Sequence, residues 1–248
     1  MSKHQLINKN VKLTDILSYV IAHLLTIESI DTVDEAYIEA EIIISFVFTV
    51  KINELRINYN KYKHFFVIEK LNKTLLRRLY GEPIAYIVGN KSFFDFNLIV
   101  GYGVLIPRPE TEILVEQSLK VINTMQSKKN NLNIVDVGTG SGAIIISLAK
   151  MLNPKKNYNF HAVDNSEIAI YYCKKNISKM KLNEKIKISN SDLLDEIHYT
   201  PEIIIANLPY IPTNNMVNLQ KEVRLTEPNN ALDGGKNGLQ IIEKLIMQ

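Results

Sequence analysis

The fold of this chain is decided by one stretch, Asn133-Ile134-Val135-Asp136-Val137-Gly138-Thr139-Gly140-Ser141-Gly142-Ala143-Ile144-Ile145-Ile146-Ser147-Leu148-Ala149. Its apolar beginning has the length of a buried strand, and the part after Gly142 predicts a helix. Glycine has no Cβ, so the loop between them lets the main chain approach a ligand closely, and the helix presents free N–H groups. The stretch therefore predicts a strand, a ligand-binding loop and a helix.

Strands and helices alternate along the second half of the chain. The predicted strands are residues 134–137, 160–163, 186–189 and 202–206. This order predicts an α/β fold with a parallel, doubly wound, Rossmann-like sheet. The chain stops in a predicted helix, residues 239–247, which would leave the fourth strand at an edge of the sheet. We expect that the chain is a piece of a longer polypeptide or the product of a broken gene, and that it is poorly stable alone.

The second predicted strand ends in Asp164. A carboxylate about 20 residues after a glycine loop typically accepts hydrogen bonds from the ribose of an adenine-containing cofactor. The pattern Gly138-x-Gly140-x-x-Ala143 also fits a dinucleotide-binding loop, so the loop alone does not identify the cofactor. Within the first strand, Asp136 is predicted to orient the loop.

The fourth predicted strand is followed by Asn207-Leu208-Pro209-Tyr210, at the end of a strand where open α/β sheets bind ligands. An Asn carbonyl and a main-chain carbonyl can accept hydrogen bonds from one NH2 group, and a Tyr ring can stack on the planar group that carries it. Pro209 stiffens the turn. This chemistry suits alkylation of an amide or exocyclic amine nitrogen, although a plain Asn-Pro-type turn would look similar. Together with the loop and the acid, the tetrapeptide resembles the pattern of S-adenosylmethionine-dependent methyltransferases.

Further segments narrow the resemblance to the PrmC/HemK family, the peptide-chain-release-factor glutamine N5-methyltransferases. The family pattern is matched by residues 77–89, residues 104–112, Glu227-Pro228, Ala231-Leu232 and Asp233-Gly234-Gly235. The resemblance runs from about residue 75 to the end of the chain. It implies S-adenosylmethionine as the cofactor and, as the substrate, the Gln of the Gly-Gly-Gln motif in bacterial-type release factors.

The resemblance also assigns site residues. Asn207, Leu208, Pro209 and Tyr210 would be catalytic. The cofactor would be bound by Gly138, Thr139, Gly140, Ser141, Gly142, Asp164, Asp192, Leu193 and Asn207. Asp192 would lie near the adenine amino group with Leu193 against the ring, and no metal is implied. Arg108 would either recognise the substrate backbone or anchor the preceding segment.

One position departs from the family pattern. Most members have Asn-Pro-Pro-Tyr, whereas this chain has Leu208. The family uses the main-chain carbonyl at this place, which any residue supplies, so the loss is one of rigidity. Asn-Leu-Pro-Tyr also resembles the motif of rRNA adenine N6-dimethyltransferases, so an adenine amino-group methyltransferase acting on rRNA or DNA is the second hypothesis. A catalytically impaired, truncated fragment is the third.

Domain organisation follows from periodicity. Residues 1–82 are predicted to be a helical domain, either a plain packing domain or a substrate-docking domain. Its apolar faces are Leu13, Ile16, Leu17, Val20, Ile21, Leu24 and Leu25, then a helix opened by Thr32 and Asp34, then Phe65, Phe66, Ile68, Leu71, Leu75 and Leu76.

A linker and a β-hairpin would occupy residues 83–108. Its first strand is indicated by Phe94, Phe96, Leu98 and Val100, which alternate at period two, its turn by Gly101 and Gly103, and its return by residues 104–106. Residues 109–248 would form the partial methyltransferase domain, and its first helix would run to about Met125.

Composition excludes several other kinds of site. A net charge of +3 is too weakly basic to predict nucleic-acid binding by itself. Cys173 is the only cysteine, which excludes an internal disulfide and a cysteine metal cluster, and its place in a predicted helix indicates a packed thiol. The histidines lack metal-ligand spacing and are predicted to be structural: His4, His23, His64, His161 and His198.

The apolar run at residues 42–50 is shorter than the roughly 20 residues that a membrane span needs. The first residues show no apolar signal-peptide region. We therefore expect a cytoplasmic protein without membrane association, and the family resemblance implies release factors as its partners.

Overall fold

A computed structural model describes residues 12–57, 66–129 and 131–248. These residues form two compact units, the first up to Val88 together with Gln220–Glu222, the second Gly89–Leu219 together with Val223–Gln248. The predictions for His4, His64 and the side chains of Phe65 and Phe66 lie outside the described part. In that part, no helix is both long and apolar enough to cross a membrane.

The first unit is helical, as predicted. It contains α1 (Leu13–Leu24), α2 (Val33–Phe48), α3 (Ile52–Ile57), α4 (Phe66–Leu79) and α5 (Ile84–Val88). Thr32 caps α2: its side chain accepts from the Glu35 N–H, and the Glu35 carboxylate accepts from the Thr32 N–H, the capping box that a Thr-x-x-Glu sequence favours. The predicted stripe of α1 is confirmed by the burial of Leu13, Ile16, Leu17, Val20 and Leu24.

Two predicted core positions of this unit are exposed. Leu25 is 42% exposed because α1 ends at the residue before it. Leu76 is 51% exposed. Leu71 and Leu75 occupy the buried face of α4, and one further residue turns the side chain by about 100° around the helix axis.

The second unit begins with a hairpin whose predicted position was wrong. The antiparallel strands are β1 (Asn90–Phe93) and β2 (Phe96–Ile99). The turn lies between them at Phe94, which has a positive φ of 49°, rather than at Gly101 and Gly103. Glu112 stabilises this turn by accepting a 2.7 Å hydrogen bond from the Phe94 N–H. The helix predicted after the hairpin is confirmed as α6 (Glu110–Gln126).

The sheet is parallel and doubly wound, as predicted. Its elements in chain order are β3 (Asn131–Val137), α7 (Ala143–Met151), β4 (Asn157–Asp164), α8 (Glu167–Lys179), β5 (Ile186–Asn190) and β6 (Ile203–Ala206). The strand order is β5-β4-β3-β6. In register, Val137 lies beside both Val163 and Ala206, so the segments that follow these strands start at one level.

After β6 come the short helix α9 (Lys221–Thr226), two 3-10 turns and α10 (Gln240–Met247). Partly buried residues of α10, among them Ile241 and Leu245, pack against the cluster of Val137, Val163 and Leu208. On β6, Ile203 and Ile205 are buried whereas Ile204 is 44% exposed. The sheet and these helices therefore hold the carboxyl ends of three neighbouring strands in a fixed arrangement.

Two groups that we predicted to be structural are buried in the second unit. Cys173 is fully buried, and burial raises the pKa of its thiol to about 12. His161 lies between the Tyr199 hydroxyl at 3.1 Å and the Ser189 hydroxyl at 2.8 Å. Burial lowers the pKa of His161 to about 4. Both groups are therefore uncharged at neutral pH.

Candidate active site

A cleft opens at the carboxyl ends of β3, β4 and β6, within the second unit. It has a free volume of about 1040 Å³, counting the open space at its mouth. Its wall contains most of the residues that the sequence assigned to the site: Gly138, Thr139, Gly140, Ser141, Asp164, Asp192, Leu193, Asn207, Leu208 and Pro209. Parallel strands end at one edge of the sheet, and this brings together residues that are distant in sequence.

The glycine loop is held by hydrogen bonds that its main-chain N–H groups donate. The N–H groups of Gly138 and Thr139 both donate to the Val163 carbonyl, at 2.9 and 3.0 Å, and Gly142 donates to the Thr139 carbonyl at 2.8 Å. Gly140 has a φ of 57°, and a Cβ placed on it would meet no protein atom within 4 Å. The loop therefore exposes bare main chain at this point.

Asp164 fastens the loop to the next strand. One carboxylate oxygen accepts from the Gly140 N–H and the other from the Ser166 N–H, both at 2.9 Å. Burial raises the pKa of Asp164, although these N–H groups favour the charged form. Each carboxylate oxygen can accept a second hydrogen bond, so the group can hold the loop and still bind ribose hydroxyls.

Asp136 lies fully buried beneath the same loop. The Thr139 hydroxyl donates a 2.7 Å hydrogen bond to its Oδ2. Burial raises the pKa of Asp136 to about 7, against the opposing effect of this hydrogen bond. The contact agrees with the predicted role of Asp136 in orienting the loop.

The segment after β5 forms another part of the wall. Leu193 is buried and has a positive φ of 52°, uncommon for a residue with a side chain. Asp192 carries an exposed carboxylate, and Lys244 of α10 donates to it at 2.5 Å. A carboxylate and an apolar side chain therefore lie next to each other here, at the position where adenine binding is predicted.

Asn207 follows β6 directly. Its side-chain NH2 group donates a 3.3 Å hydrogen bond to the Thr111 hydroxyl on α6. No described residue donates to the Asn207 side-chain oxygen or to the Leu208 carbonyl. The Leu208 side chain is buried against Val137 and Val163. The main chain is thus anchored, and two acceptors are left without a partner in the described part of the chain.

Two residues that the sequence assigned to the site do not line the cleft in the described part of the chain, Tyr210 and Gly142. Tyr210 is 64% exposed. Gly142 is buried behind the loop, where a Cβ would come within 3.0 Å of Cys173 Sγ. Their site roles remain predictions.

Three supporting residues were missed. Thr111 orients Asn207, and Asn176 of α8 is buried and binds the main chain of both Ile99 and Ser141. Glu227 accepts from Arg108 at 2.6 Å and from the Ile106 N–H at 3.2 Å. This last pair favours the anchoring role of Arg108. Thr111 and Glu227 lie within the segments that match the family pattern, and this match is the sequence signal that marks them.

The donor and acceptor set fits S-adenosylmethionine. Asp164 can accept from the ribose hydroxyls, Asp192 from the adenine amino group, and the uncovered main chain at Gly140 gives room for close approach. In the described part of the chain, no group of three or more His, Cys, Asp or Glu residues could hold a metal ion.

Comparisons with known proteins find family models and relatives that match most of the chain. Residues 19–89 match the family model of the PrmC N-terminal domain, and residues 128–230 match a methyltransferase domain. The release factor glutamine methyltransferase of Buchnera aphidicola subsp. Schizaphis graminum is 40% identical over 216 residues, which cover 85% of this chain and 73% of that protein.

Two further relatives carry the same name. The protein from Buchnera aphidicola subsp. Acyrthosiphon pisum is 35% identical over 227 residues, covering 89% of this chain and 76% of its own. The protein from Dictyoglomus turgidum is 38% identical over 224 residues, covering 86% and 73%.

Proposed function

Because the chain belongs to the release factor glutamine methyltransferase family, we propose that it methylates the side-chain nitrogen of a glutamine in a release factor. The methyl donor is S-adenosylmethionine, and the acceptor is the Gln of the Gly-Gly-Gln motif. Release factors act with ribosomes, so the proposed location is the cytoplasm.

The observation that carries this proposal is the orientation of Asn207. Its NH2 group donates to Thr111, and the side-chain oxygen therefore remains an acceptor. The Leu208 carbonyl is a second acceptor one residue away. A primary amide has two N–H hydrogens, so one glutamine side chain can satisfy both acceptors at once. The contact with Thr111 ties the Asn207 side chain to α6.

Holding the glutamine NH2 group by two acceptors addresses the difficult part of the reaction. An amide nitrogen is a poor nucleophile because its lone pair is delocalised into the carbonyl. Two acceptors allow the nitrogen to pyramidalise, and they stabilise the positive charge that develops on it. Bound S-adenosylmethionine supplies an electrophilic methyl group on a sulfonium. In-line attack needs the reacting atoms about 3–3.5 Å apart, and the amide proton can leave after transfer.

The cofactor side of the cleft has a separate role in this proposal. Gly138, Gly140 and the intervening main chain approach the cofactor, Asp164 binds its ribose, and Asp192 with Leu193 binds its adenine. None of these groups contacts the reacting nitrogen. Changes on this side are therefore expected to alter cofactor affinity before they alter the chemical step.

Tyr210 is proposed to stack on the plane of the substrate amide and to exclude water. Its exposure of 64% leaves the ring accessible to an incoming side chain. Pro209 stiffens the turn that carries the ring.

The helical segment, residues 1–82, is proposed to dock the protein substrate. In support, Leu76 and Tyr80 are four residues apart on consecutive helical turns and are 51% and 84% exposed. Such a pair forms one apolar surface. Leu76→Ser with Tyr80→Ser should raise KM for the release factor several-fold and leave kcat unchanged. Ile57→Ser, at an 83% exposed position of the same unit, is the matched control.

The function is tested by methyl transfer from labelled S-adenosylmethionine. The protein, purified in its full natural length, should label a Gly-Gly-Gln release factor, and changing the acceptor Gln to Ala should abolish labelling. An equal amount of naked rRNA serves as the competing substrate. Labelling of the rRNA and not of the protein would assign the chain to the adenine methyltransferases, and labelling of neither would favour the impaired fragment.

A further inference from the structure

The segment after the Asn207–Tyr210 motif is paired with a loop that arrives later in the chain, residues 232–238, here named the clamp loop. Ile211 N–H donates to the Leu232 carbonyl at 3.0 Å, and Gly234 N–H donates back to the Ile211 carbonyl at 2.9 Å. Thr213 N–H donates to the Gly235 carbonyl at 3.0 Å. Main-chain hydrogen bonds thus fix the chain immediately after the motif.

One side chain joins the two segments. Asp233 Oδ1 accepts from the Thr213 hydroxyl at 2.8 Å and from the Gly235 N–H at 2.9 Å. A single carboxylate oxygen therefore holds both the clamp loop and the segment that it pairs with. Loss of this acceptor would leave Thr213 and Gly235 without their partner at the same time.

Two glycines of the clamp loop lie against the motif itself. A Cβ on Gly234 would come within 2.7 Å of the Pro209 carbonyl oxygen. A Cβ on Gly238 would lie inside van der Waals contact of the Tyr210 carbonyl oxygen. The loop therefore packs main chain against main chain, and no side chain could be inserted without moving the motif.

The motif needs such support because of its place in the fold. It follows β6, which in the described part of the chain pairs only with β3. The pyrrolidine ring restricts the φ of Pro209, whereas no ring restricts the φ of Leu208. We propose that the clamp loop positions the Asn207–Tyr210 motif for catalysis, with Asp233 as a positioning residue. The expected effect on turnover rests on the proposed function. The expected effect on the order of the segment after the motif rests on hydrogen bonding alone.

The test compares Asp233→Ala with Asp233→Asn in the full chain. Asp233→Ala removes both hydrogen bonds to Asp233 Oδ1, so the motif should be held less firmly and kcat should fall roughly 10- to 30-fold. Asp233→Asn keeps an acceptor oxygen at the same place and should restore most of kcat. Affinity for S-adenosylhomocysteine, measured by calorimetry, should stay within about twofold in both, since the clamp loop does not support the glycine loop.

Comparing alanine substitutions at two glycines separates the effect of the contact with the motif from the effect of backbone strain. Gly238 has a φ of 79°, and Gly89 has a φ of 75° with nothing within 4 Å of an added Cβ. Alanine strains the backbone equally at both positions, but only Gly238→Ala displaces the Tyr210 carbonyl. Gly238→Ala should therefore reduce kcat at least tenfold relative to Gly89→Ala.

Hydrogen exchange separates this inference from the proposed function. In Asp233→Ala the amides of Ile211 and Thr213 should lose protection, whichever substrate the protein methylates. If the wild-type protein were inactive but Asp233→Ala still lost this protection, the proposed function would be refuted and the structural role of the clamp loop would be supported. If exchange and kcat were unchanged in Asp233→Ala, the clamp would be refuted. Should Asp233→Ala fail to fold, Thr213→Val against Thr213→Ser decides between the same outcomes.

Discussion

The two sides of the cleft are built in opposite ways. The loop of Gly138–Gly142 satisfies its own main-chain donors, through the Val163 and Thr139 carbonyls and through Asp164. The Asn207–Tyr210 motif keeps two acceptors without a described donor and depends on neighbours for its position. A side that binds a cofactor can have its main-chain donors paired with neighbouring protein groups, whereas a side that binds a reacting NH2 group must keep acceptors available.

Strand position accounts for this difference. β3, which leads into the glycine loop, lies between β4 and β6, and the residues around the loop are buried. β6 has one described neighbour, so the chain leaving it has no sheet partner on its outer side. Support for the motif comes instead from Thr111, from the buried Leu208 side chain and from the clamp loop.

Removing an acceptor on the substrate side should have the largest effect. Asn207→Ala is expected to reduce kcat roughly 10²- to 10³-fold, the size of losing one preorganised hydrogen-bonding group. Cofactor affinity should change little. Steady-state kinetics with the release factor and calorimetry with S-adenosylhomocysteine measure the two effects separately.

Asn190→Ala is the matched control, because Asn190 also ends a strand and is exposed outside the cleft wall. Its kcat should remain near that of the wild type. A loss of cofactor affinity in Asn207→Ala with kcat intact would invert the division of roles between the two sides.

On the cofactor side, Asp164→Ala should weaken binding of S-adenosylhomocysteine roughly 10- to 100-fold, since a hydrogen bond to a charged group contributes about 1.5–3 kcal/mol. kcat at saturating cofactor should fall much less. Asp192→Ala offers a graded comparison, because that carboxylate is exposed and paired with Lys244. Its effect should be only a few-fold, and an effect as large as that of Asp164→Ala would mean that the adenine end dominates binding.

Sequence patterns predicted the local structure on the cofactor side well because its determinants are local. A strand, a glycine loop and a helix are contiguous, and Asp164 ends the next strand. The parallel order of four strands followed from the same alternation. Asn207 was identified because its tetrapeptide is contiguous too.

Long-range contacts could not be predicted in this way. Thr111 and Asn176 act through partners far along the chain, and no periodicity marks such pairs. The hairpin turn was misplaced for a different reason. Glycines at 101 and 103 are strong turn signals, but the chain turns at Phe94, whose positive φ is held by a hydrogen bond from its N–H to Glu112.

The buried carboxyl beneath the glycine loop should make stability depend on pH. Its pKa is about 7 in the folded protein and near 3.8 as an ordinary Asp, so folding takes up a proton between these values. The stability from this proton uptake is present below about pH 4 and is lost as the pH rises through 7. Between pH 6 and 8, stability on the order of 1 kcal/mol should be lost, roughly a tenfold change in the unfolding constant.

Asp136→Asn removes this titration and keeps an oxygen for Thr139. Urea unfolding of both proteins at pH 6 and 8 measures the difference. Burial lowers the pKa of His161 from 6.5 to about 4, so His161 also makes stability depend on pH, but it does so equally in both proteins and cancels in the comparison. The stability of the wild type relative to Asp136→Asn should be lower at pH 8. An equal difference at both pH values would show that the carboxyl does not change its charge in this range.

The smallest effect is expected at Thr111. Changing this residue tests whether the position of the Asn207 side chain matters for activity, in addition to its presence. Thr111→Val keeps the shape of the side chain and removes the hydroxyl that accepts from the Asn207 NH2 group at 3.3 Å. An ordinary hydrogen bond contributes about 0.5–1.5 kcal/mol, so kcat should fall roughly two- to tenfold. Thr111→Ser keeps the hydroxyl and should retain most of the activity. Since the Asn207 side chain would lose its tie to α6 in Thr111→Val and would be less well positioned, adding Asn207→Ala to it should cost less than Asn207→Ala alone costs the wild type. Strictly additive losses in this double-mutant cycle would mean that Thr111 acts on stability and not on the position of the Asn207 side chain.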